Sequence, residues 1–219
     1  MKLPISQRLL ACCALVPPGS RVADIGCDHG YLGIYLLQKG LSPFVYAADV
    51  RPGPLEAAIR NGTKYGVGDR MQFLLSDGVQ AVPRDFDTLV CAGMGADVMV
   101  SILSAAPWLQ DGQYRLILQC QSKTPILRKY LSETGWRIAK EQVLKDGRFL
   151  YTVMEAIWDP GHALTPGQCH ISPALLQSGC PPLPNYIAWV KEHLALSVHN
   201  QKDQADPFEV SALHELEAL

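Results

Sequence analysis

The segment VADIGCDHGYL, residues 22–32, indicates a β-strand that passes through a glycine-containing loop into an α-helix. A short apolar run ends at Gly26, and apolar residues recur at helical spacing after Gly30. Similar short apolar runs follow along the chain, separated by helical segments, at residues 44–49, 71–75, 86–92 and 114–119. Five strands that alternate with helices predict a parallel sheet covered on both faces.

The end of the chain departs from this alternation. Residues 136–143 and 149–157 predict an antiparallel hairpin, because Asp146-Gly147 is a turn sequence. Residues 158–184 are rich in Pro, Gly and His and predict a linker, and two helical segments joined by Asp203 to Pro207 predict a helical hairpin. We therefore predict an α/β, Rossmann-like domain with an antiparallel final strand pair over 1–157, a linker over 158–184, and a C-terminal helical hairpin over 185–219.

The composition excludes a disordered chain, because 48% of the 219 residues are hydrophobic and only 18% are charged. The net charge of −2 disfavours a protein that coats nucleic acid, although the charged residues are unevenly distributed along the chain. Residues 1–70 and 113–150 carry net charges of +3 and +5, and residues 71–112 and 151–219 carry −4 and −6. Either a converging positive face or an ordinary solvated surface would explain the basic residues of the second block, which are Arg115, Lys123, Arg128, Lys129, Arg137, Lys140, Lys145 and Arg148.

The seven cysteines form neither a disulfide framework nor a zinc signature, since no CxxC pair is present. We expect a protein of the reducing cytoplasm with no metal site. The sequence around Leu9–Cys12 slightly resembles a lipoprotein cleavage box, but its apolar run is too short for a signal core. No apolar stretch reaches the roughly 20 residues that span a bilayer, so no membrane association is expected.

Polar residues and glycines follow the predicted strands, and such strand ends bind ligands in doubly wound sheets. Asp49 suits a ribose diol, and Gly26 lets the backbone approach a ligand closely. A dinucleotide site would need a second glycine at the position of Asp28, where a carboxylate repels a diphosphate. The ammonium and sulfonium groups of S-adenosylmethionine instead suit Asp24 or Asp28. The alternative is that these acids only cap helices and shape turns.

Several motifs together resemble the bacterial tRNA (adenine-22-N1)-methyltransferases, the TrmK family, over nearly the whole chain. The segment 22–32 carries the most specific part of the resemblance. The other matching motifs are Gly53-Pro54, Ser76-Asp77-Gly78, Ala92-Gly93-Met94-Gly95, residues 116–119 with Arg128 and Leu131 downstream, Asp146-Gly147-Arg148 before Tyr151, and residues 172–176.

The resemblance implies a class I methyltransferase that uses S-adenosyl-L-methionine to modify N1 of adenine 22 in tRNA. It implies two catalytic residues beside the methyl group, Asp28 and His29. The implied cofactor-binding residues are Asp24, Gly26, Cys27, Asp49, Val50, Asp77, Gly78, Gly93 and Met94, of which Gly93 and Met94 also border the target base. The chain departs from the family by having Gln119-Cys120-Gln121 for Gln-Pro-Asn, Ala96 for a second glycine, and Thr152 for an acidic residue.

The chemistry of adenine N1 indicates a role for Asp28. The nitrogen lies on the Watson–Crick edge, so the base must be unpaired before it attacks a methyl group. A carboxylate that accepts a hydrogen bond from the exocyclic amine favours this attack, with His29 as a second polar group or as a capping residue. Aromatic residues that could stack on the base, or simply belong to the core, are Tyr31, Trp136, Tyr151 and Trp158.

Two other functions stay open at this stage. The same chemistry could act on another RNA or a small molecule, or the fold could serve a non-catalytic binding protein. We expect a monomer or weak dimer in which the basic blocks contact phosphates, so that RNA affinity falls as salt rises. The acidic C-terminal hairpin would then set shape and orientation.

Overall fold

The computed structural model describes residues 2–201 and 204–219 and contains a seven-stranded mixed sheet. Its strands are β1 (Val22–Ile25), β2 (Val45–Asp49), β3 (Met71–Leu75), β4 (Thr88–Met94), β5 (Arg115–Cys120), β6 (Trp136–Asp146) and β7 (Phe149–Trp158). Their order in the sheet is β3-β2-β1-β4-β5-β7-β6. The first five strands are parallel, and β7 runs antiparallel to both β5 and β6. The predicted α/β fold class is confirmed.

Helices cover both faces of the sheet. They are α1 (Gln7–Leu15), α2 (Tyr31–Gln38), α3 (Pro52–Lys64), α4 (Ala96–Ser104) and α5 (Thr124–Glu133). Alternate residues of β1 enter different cores: Ala23 and Ile25 pack in one with α4 and α5, and Val22 packs in the other with α1, α2 and α3. All four residues of β1 are buried, and all except Asp24 are apolar, as expected for a strand that is covered on both faces.

The strand order reverses between β1 and β4, the neighbours on either side of the switch point. At such a point the connections leave the sheet in opposite directions and open a crevice beyond the carboxyl ends of the strands. The loop after β1 begins at this crevice, where the amides of Gly26 and Cys27 donate to the Ala48 carbonyl at 2.8 and 2.9 Å. These two hydrogen bonds to β2 therefore hold the first residues of the loop between β1 and α2 in place.

The described part of the C-terminal segment, which leaves out residues 202–203, contains the helices α6 (Pro166–His170), α7 (Pro173–Gln177), α8 (Leu183–Gln201) and α9 (Pro207–Glu217). Residues 158–184, predicted as a linker, thus include two short helices, whose first turns are capped by Thr165 and Ser172. A third apolar cluster joins these helices to α8, α9 and β6. The segment is packed against the domain because its few apolar residues, such as Ile171 and Leu175, are buried. Asp203, part of the predicted connection in the hairpin, lies outside the described residues.

A buried ion pair attaches this segment to the sheet. Arg128 of α5 is fully buried and contacts Glu141 of β6 at 2.7 Å. It also donates to the carbonyls of Cys169 and His170 at 3.0 and 2.6 Å, and the Ser172 hydroxyl donates to Glu141 at 2.5 Å. Burial, the largest single influence, would lower the pKa of Arg128, but Glu141 and Tyr186 together raise that pKa above its usual value.

Two of the eight basic residues of the second block do not add to a free positive face. Arg128 is inaccessible, and Arg115 lies at the amino end of β5, where it pairs with the buried Glu155. Trp136 is also buried, so it is a core residue and cannot stack on a base. None of the helices in the described ranges is both long and apolar enough to cross a bilayer.

Candidate active site

A cavity of about 860 Å³ opens at the carboxyl ends of β1, β2, β3 and β4, beside the switch point. The structure brings together on its lining all nine residues predicted to bind the cofactor, namely Asp24, Gly26, Cys27, Asp49, Val50, Asp77, Gly78, Gly93 and Met94. These residues come from four separate loops or strand ends. The parallel sheet aligns them because the carboxyl ends of its parallel strands lie along one edge.

Asp24 is the most unusual of these residues, because its carboxylate is buried with one oxygen unsatisfied. Its Oδ2 has no hydrogen-bond partner among the described residues. Burial and, to a lesser degree, the nearby Asp49 charge raise the pKa of Asp24 to about 7, although a backbone hydrogen bond from Gly33 opposes the shift. An unpaired buried carboxylate is costly, so this oxygen is suited to a donor or cation in the cavity.

Asp49, at the end of β2, connects two of the loops. Its Oδ2 accepts a hydrogen bond from the Asp28 amide at 3.2 Å, and its Oδ1 accepts from the Arg51 amide at 2.9 Å. A carboxylate has about four lone-pair positions, so capacity is left for further donors such as ribose hydroxyls. Val50, which follows it, is 61% exposed and presents an apolar surface to the cavity.

Glycine is required at the loop after β1. Gly26 has φ +72°, and a Cβ at this position would lie 2.1 Å from the Met94 Cε. The left-handed backbone and the close methionine both exclude a larger residue without rearrangement. Met94 therefore packs directly over the loop, and the two lie against each other at the cavity.

The two predicted catalytic residues differ in position. Asp28 lines the cavity with a 63% exposed side chain and a left-handed φ of 49°. His29 is not among the lining residues; its Nε2 lies 3.8 Å from Asp28 Oδ2, and its ring stacks on Tyr31 with centroids 5.6 Å apart. Asp28 can therefore contact a ligand in the cavity, whereas His29 lies outside the cavity lining.

Buried Gln119 supports the carboxyl end of β4. Its Oε1 accepts a hydrogen bond from the Gly93 amide at 3.1 Å, and the Gln121 amide donates to the Met94 carbonyl at 2.8 Å. The chain keeps the first glutamine of the family motif, and this is the residue that holds Gly93. Cys120, in place of the family's proline, is buried, and Gln121 lines the cavity.

Sequence reasoning missed the contributions of α1 and α4 to this cavity. Ser6, Arg8 and Leu9 line it from the start of the chain, and Asp97, Val98, Ser101 and Ile102 line it from α4. Arg8 also pairs with Asp146 at 3.0 Å, and its guanidinium lies 5.0 Å from the centre of the Tyr151 ring. One signal was available, since Arg8 is the only charged residue of α1.

Thiol chemistry is disfavoured at the site. Burial raises the pKa of Cys27 and of Cys91, and the carboxylate of Asp24 raises both further. Such thiols stay protonated and are poor nucleophiles. Within residues 2–201 and 204–219, no group of three or more His, Cys, Asp or Glu side chains is arranged to hold a metal ion.

Comparison with known proteins extends these observations. A family model described as "Methyltransferase domain" matches residues 5–154. The tRNA (adenine(22)-N(1))-methyltransferase of Bacillus subtilis is 29% identical over 156 residues, which cover 71% of this chain and 66% of that protein. The match therefore spans just under two thirds of that relative's length.

Two solved structures share the fold over almost their full length. A Streptococcus agalactiae protein of the NADB-Rossmann superfamily has a TM-score of 0.88 at 26% identity, covering 100% of this chain and 98% of its own. A putative tRNA (m1A22) methyltransferase of Streptococcus pneumoniae, solved with S-adenosyl-L-methionine, has a TM-score of 0.85 at 25% identity, covering 97% and 99%. The similarity thus includes the C-terminal helices.

Proposed function

The chain belongs to the methyltransferase-domain family, and from that membership we propose that it methylates N1 of adenine 22 in tRNA with S-adenosylmethionine as methyl donor. The observation that carries the cofactor assignment is the unpaired, buried Asp24 oxygen in a cavity whose other acids are Asp28, Asp49, Asp77 and Asp97. An acid-lined cavity suits a cation and disfavours a diphosphate. The Bacillus subtilis relative supports the choice of substrate.

The residues of the cavity fit the parts of this cofactor. When bound, S-adenosylmethionine supplies an electrophilic methyl group on a sulfonium cation. Asp24 would hold the ammonium group with its free oxygen, and Asp49 would accept hydrogen bonds from the ribose hydroxyls. Val50 would cover the adenine ring of the cofactor with its exposed side chain. Gly26 would allow the backbone to pass close to the bound molecule.

Asp28 is the proposed catalytic residue. Its exposed carboxylate would accept a hydrogen bond from the exocyclic amine of the target adenine and stabilise the positive charge that develops on methylation at N1. His29, 3.8 Å from that carboxylate, is a positioning residue. Gly93 and Met94, held by Gln119 and Gln121, would border the base on the other side.

Basic residues near the cavity would contact RNA phosphates. Arg51 is 70% exposed at the cavity, and Arg148 lies in the turn between β6 and β7. Such contacts release counterions, so RNA affinity should fall as salt concentration rises. We also propose that the chain acts as a monomer or weak dimer in the cytoplasm, where its seven cysteines stay reduced.

Mass spectrometry of an unmodified tRNA transcript, incubated with the protein and S-adenosylmethionine, tests the proposal. We expect one methyl group on adenine 22 with the wild-type protein. Asp28→Asn, which tolerates the left-handed backbone, should lower kcat by about 10²- to 10⁴-fold. Asp111→Asn, at an exposed acid just before the amino end of β5, is the matched control and should keep full activity.

Each contrary result points to a different function. Cofactor binding without methylated tRNA would indicate another RNA or a small molecule as substrate. Absence of cofactor binding in calorimetry would indicate a non-catalytic binding protein. Full activity of Asp28→Asn would remove Asp28 from the mechanism while leaving the substrate assignment intact.

A further inference from the structure

A second cavity, of about 290 Å³, lies between α8 and the carboxyl edge of the sheet, and we call it the α8 cleft. Its other walls are the loop after β5, from Cys120 to Pro125, and the start of β7, from Leu150 to Thr152. Gln121 lines both this cleft and the cofactor cavity. A molecule bound in one cavity therefore lies next to a molecule bound in the other.

Aromatic rings form the α8 wall of the cleft. Trp189 lies between Tyr186 and His193, with ring centroids 6.0 and 4.3 Å away. Although it lines a cleft, Trp189 is 49% exposed, which is unusual for so large an apolar side chain. Tyr151 lines the sheet side, with Arg8 lying over its ring. The walls thus suit a flat ring.

The α8 cleft contains polar side-chain atoms that can hydrogen-bond to a ligand. Thr152 is 2% exposed, and its Oγ1 has no hydrogen-bond partner within the described residues. The Nδ1 of His193 lies 2.8 Å from the Trp189 carbonyl, which can only accept, so Nδ1 carries the proton. A buried, unsatisfied hydroxyl on a cavity wall is the second observation that indicates a bound polar molecule.

We propose, resting on the proposed RNA substrate, that the α8 cleft binds an unpaired nucleobase adjacent to the methylated adenine, stacked against Trp189 and hydrogen-bonded by Thr152. Stacking of bases on aromatic side chains is a general mode of binding unpaired nucleic acid. The volume is at the low end of ligand cavities, which span roughly 300–1,000 Å³, and suits one ring system.

Polarity and position favour a base over an apolar peptide side chain. Lys123, at the rim, is 58% exposed and pairs with Asp97 of the cofactor cavity at 2.7 Å, so an ion pair lies at the boundary of the two cavities. An apolar side chain would leave the Thr152 hydroxyl unpaired, whereas a base offers acceptors. The proposal also gives the acidic C-terminal segment a role that needs no phosphate contact: it would hold a neighbouring base while the target adenine is unpaired.

The test uses tRNA transcripts with 2-aminopurine at either nucleotide that flanks adenine 22. Stacking quenches 2-aminopurine fluorescence, and we expect quenching at one of the two positions on binding wild-type protein. Trp189→Ala should abolish this quenching and weaken RNA affinity by about 5- to 100-fold, the range for one lost base stack. Leu196→Ala, at another exposed apolar residue of α8, is the matched control and should change neither.

Two further measurements separate base binding from a structural role. Thr152→Val should weaken RNA binding without lowering the melting temperature, because the hydroxyl it removes has no partner in the protein. Replacing the quenched nucleotide by an abasic one should weaken binding by the wild type but have no further effect on Trp189→Ala, since both remove one interaction.

The outcomes distinguish this inference from the proposed function. If labelled transcript does not bind wild-type protein at all, the proposed function and the inference both fail. If the transcript binds, and Trp189→Ala and Leu196→Ala leave affinity and quenching equally unchanged, only the α8 cleft is excluded as a base site. Additive effects of the abasic nucleotide and Trp189→Ala would also overturn the inference.

Discussion

Asp24 and the Arg128–Glu141 pair are both buried charged sites, and they differ in how the chain satisfies them. Arg128 is surrounded by acceptors from two parts of the chain, the Glu141 carboxylate in β6 and the adjacent carbonyls of Cys169 and His170 in α6. Asp24 has an unpaired oxygen and a second carboxylate, Asp49, nearby. A buried charge whose hydrogen-bonding groups all have partners in the protein joins the elements that supply those partners. A buried charge that lacks a partner at a cavity is suited to bind a ligand.

Removing one partner of the satisfied pair should have the largest effect. Arg128→Met leaves the Glu141 carboxylate buried and unpaired, so we expect urea denaturation to show a loss of about 3–5 kcal/mol in the free energy of unfolding. Lys129→Met, at the adjacent exposed cation of α5, should change it by less than about 0.5 kcal/mol. Equal stability of the two variants would contradict the structural role of Arg128.

The double variant Arg128→Met/Glu141→Leu sharpens this prediction. It removes both charges, so part of the lost stability should return. Recovery should be incomplete, because the carbonyls of Cys169 and His170 lose their donor and Ser172 loses its acceptor.

Substitution of Asp24, the unsatisfied site, should preserve stability and weaken cofactor binding. Asp24→Asn removes a buried charge without removing a partner, so the free energy of unfolding at pH 8 should not fall. Affinity for S-adenosylmethionine, measured by calorimetry, should fall by about 10- to 100-fold, since a hydrogen bond to a charged group contributes roughly 1.5–3 kcal/mol. A variant that lost stability but bound the cofactor normally would show that Asp24 is structural.

The pH dependence of stability provides an independent test of Asp24. Because the pKa of Asp24 is raised from 3.8 to about 7 in the folded protein, folding favours the protonated form. The stabilisation from this group is complete below about pH 4 and is lost as pH rises through about 7. The difference in unfolding free energy between the wild type and Asp24→Asn should follow that course, and a constant difference across this range would contradict the raised pKa.

Gly26→Ala should have the smallest effect. A left-handed alanine costs about 1–2 kcal/mol, and its Cβ would displace the Met94 side chain. Gly66→Ala is the matched control, with φ +70° and nothing within 4 Å of the added Cβ. Both variants should lose similar stability in urea titrations, and only Gly26→Ala should also lose cofactor affinity. Equal cofactor affinity in the two variants would mean that the Gly26–Met94 contact does not shape the cavity.

The elements of the sheet could be predicted because each depends on local sequence. Fully buried strands such as β1 are apolar runs. The hairpin was predicted from Asp146-Gly147, and the structure forms it one residue later, with Gly147 and Arg148 as the turn between β6 and β7. The nine residues that the family resemblance implies for the cofactor all line one cavity, because the ends of parallel strands meet at one edge. The helices at 166–170 and 173–177 were missed because their stability depends on caps and on packing, which short segments do not reveal.

The sequence by itself determined the parallel sheet, the switch-point loop and the acids beside it, because strand periodicity, glycine and turn chemistry act over a few residues. Only the tertiary structure decided which charges are buried, which helix completes the cavity, and that Trp189 and Tyr151 line the same cleft. Arg128 has the sequence character of a surface cation, yet its partners lie 13, 41 and 42 residues away. Burial and pairing depend on long-range packing, which brings together residues that carry no local sign of one another.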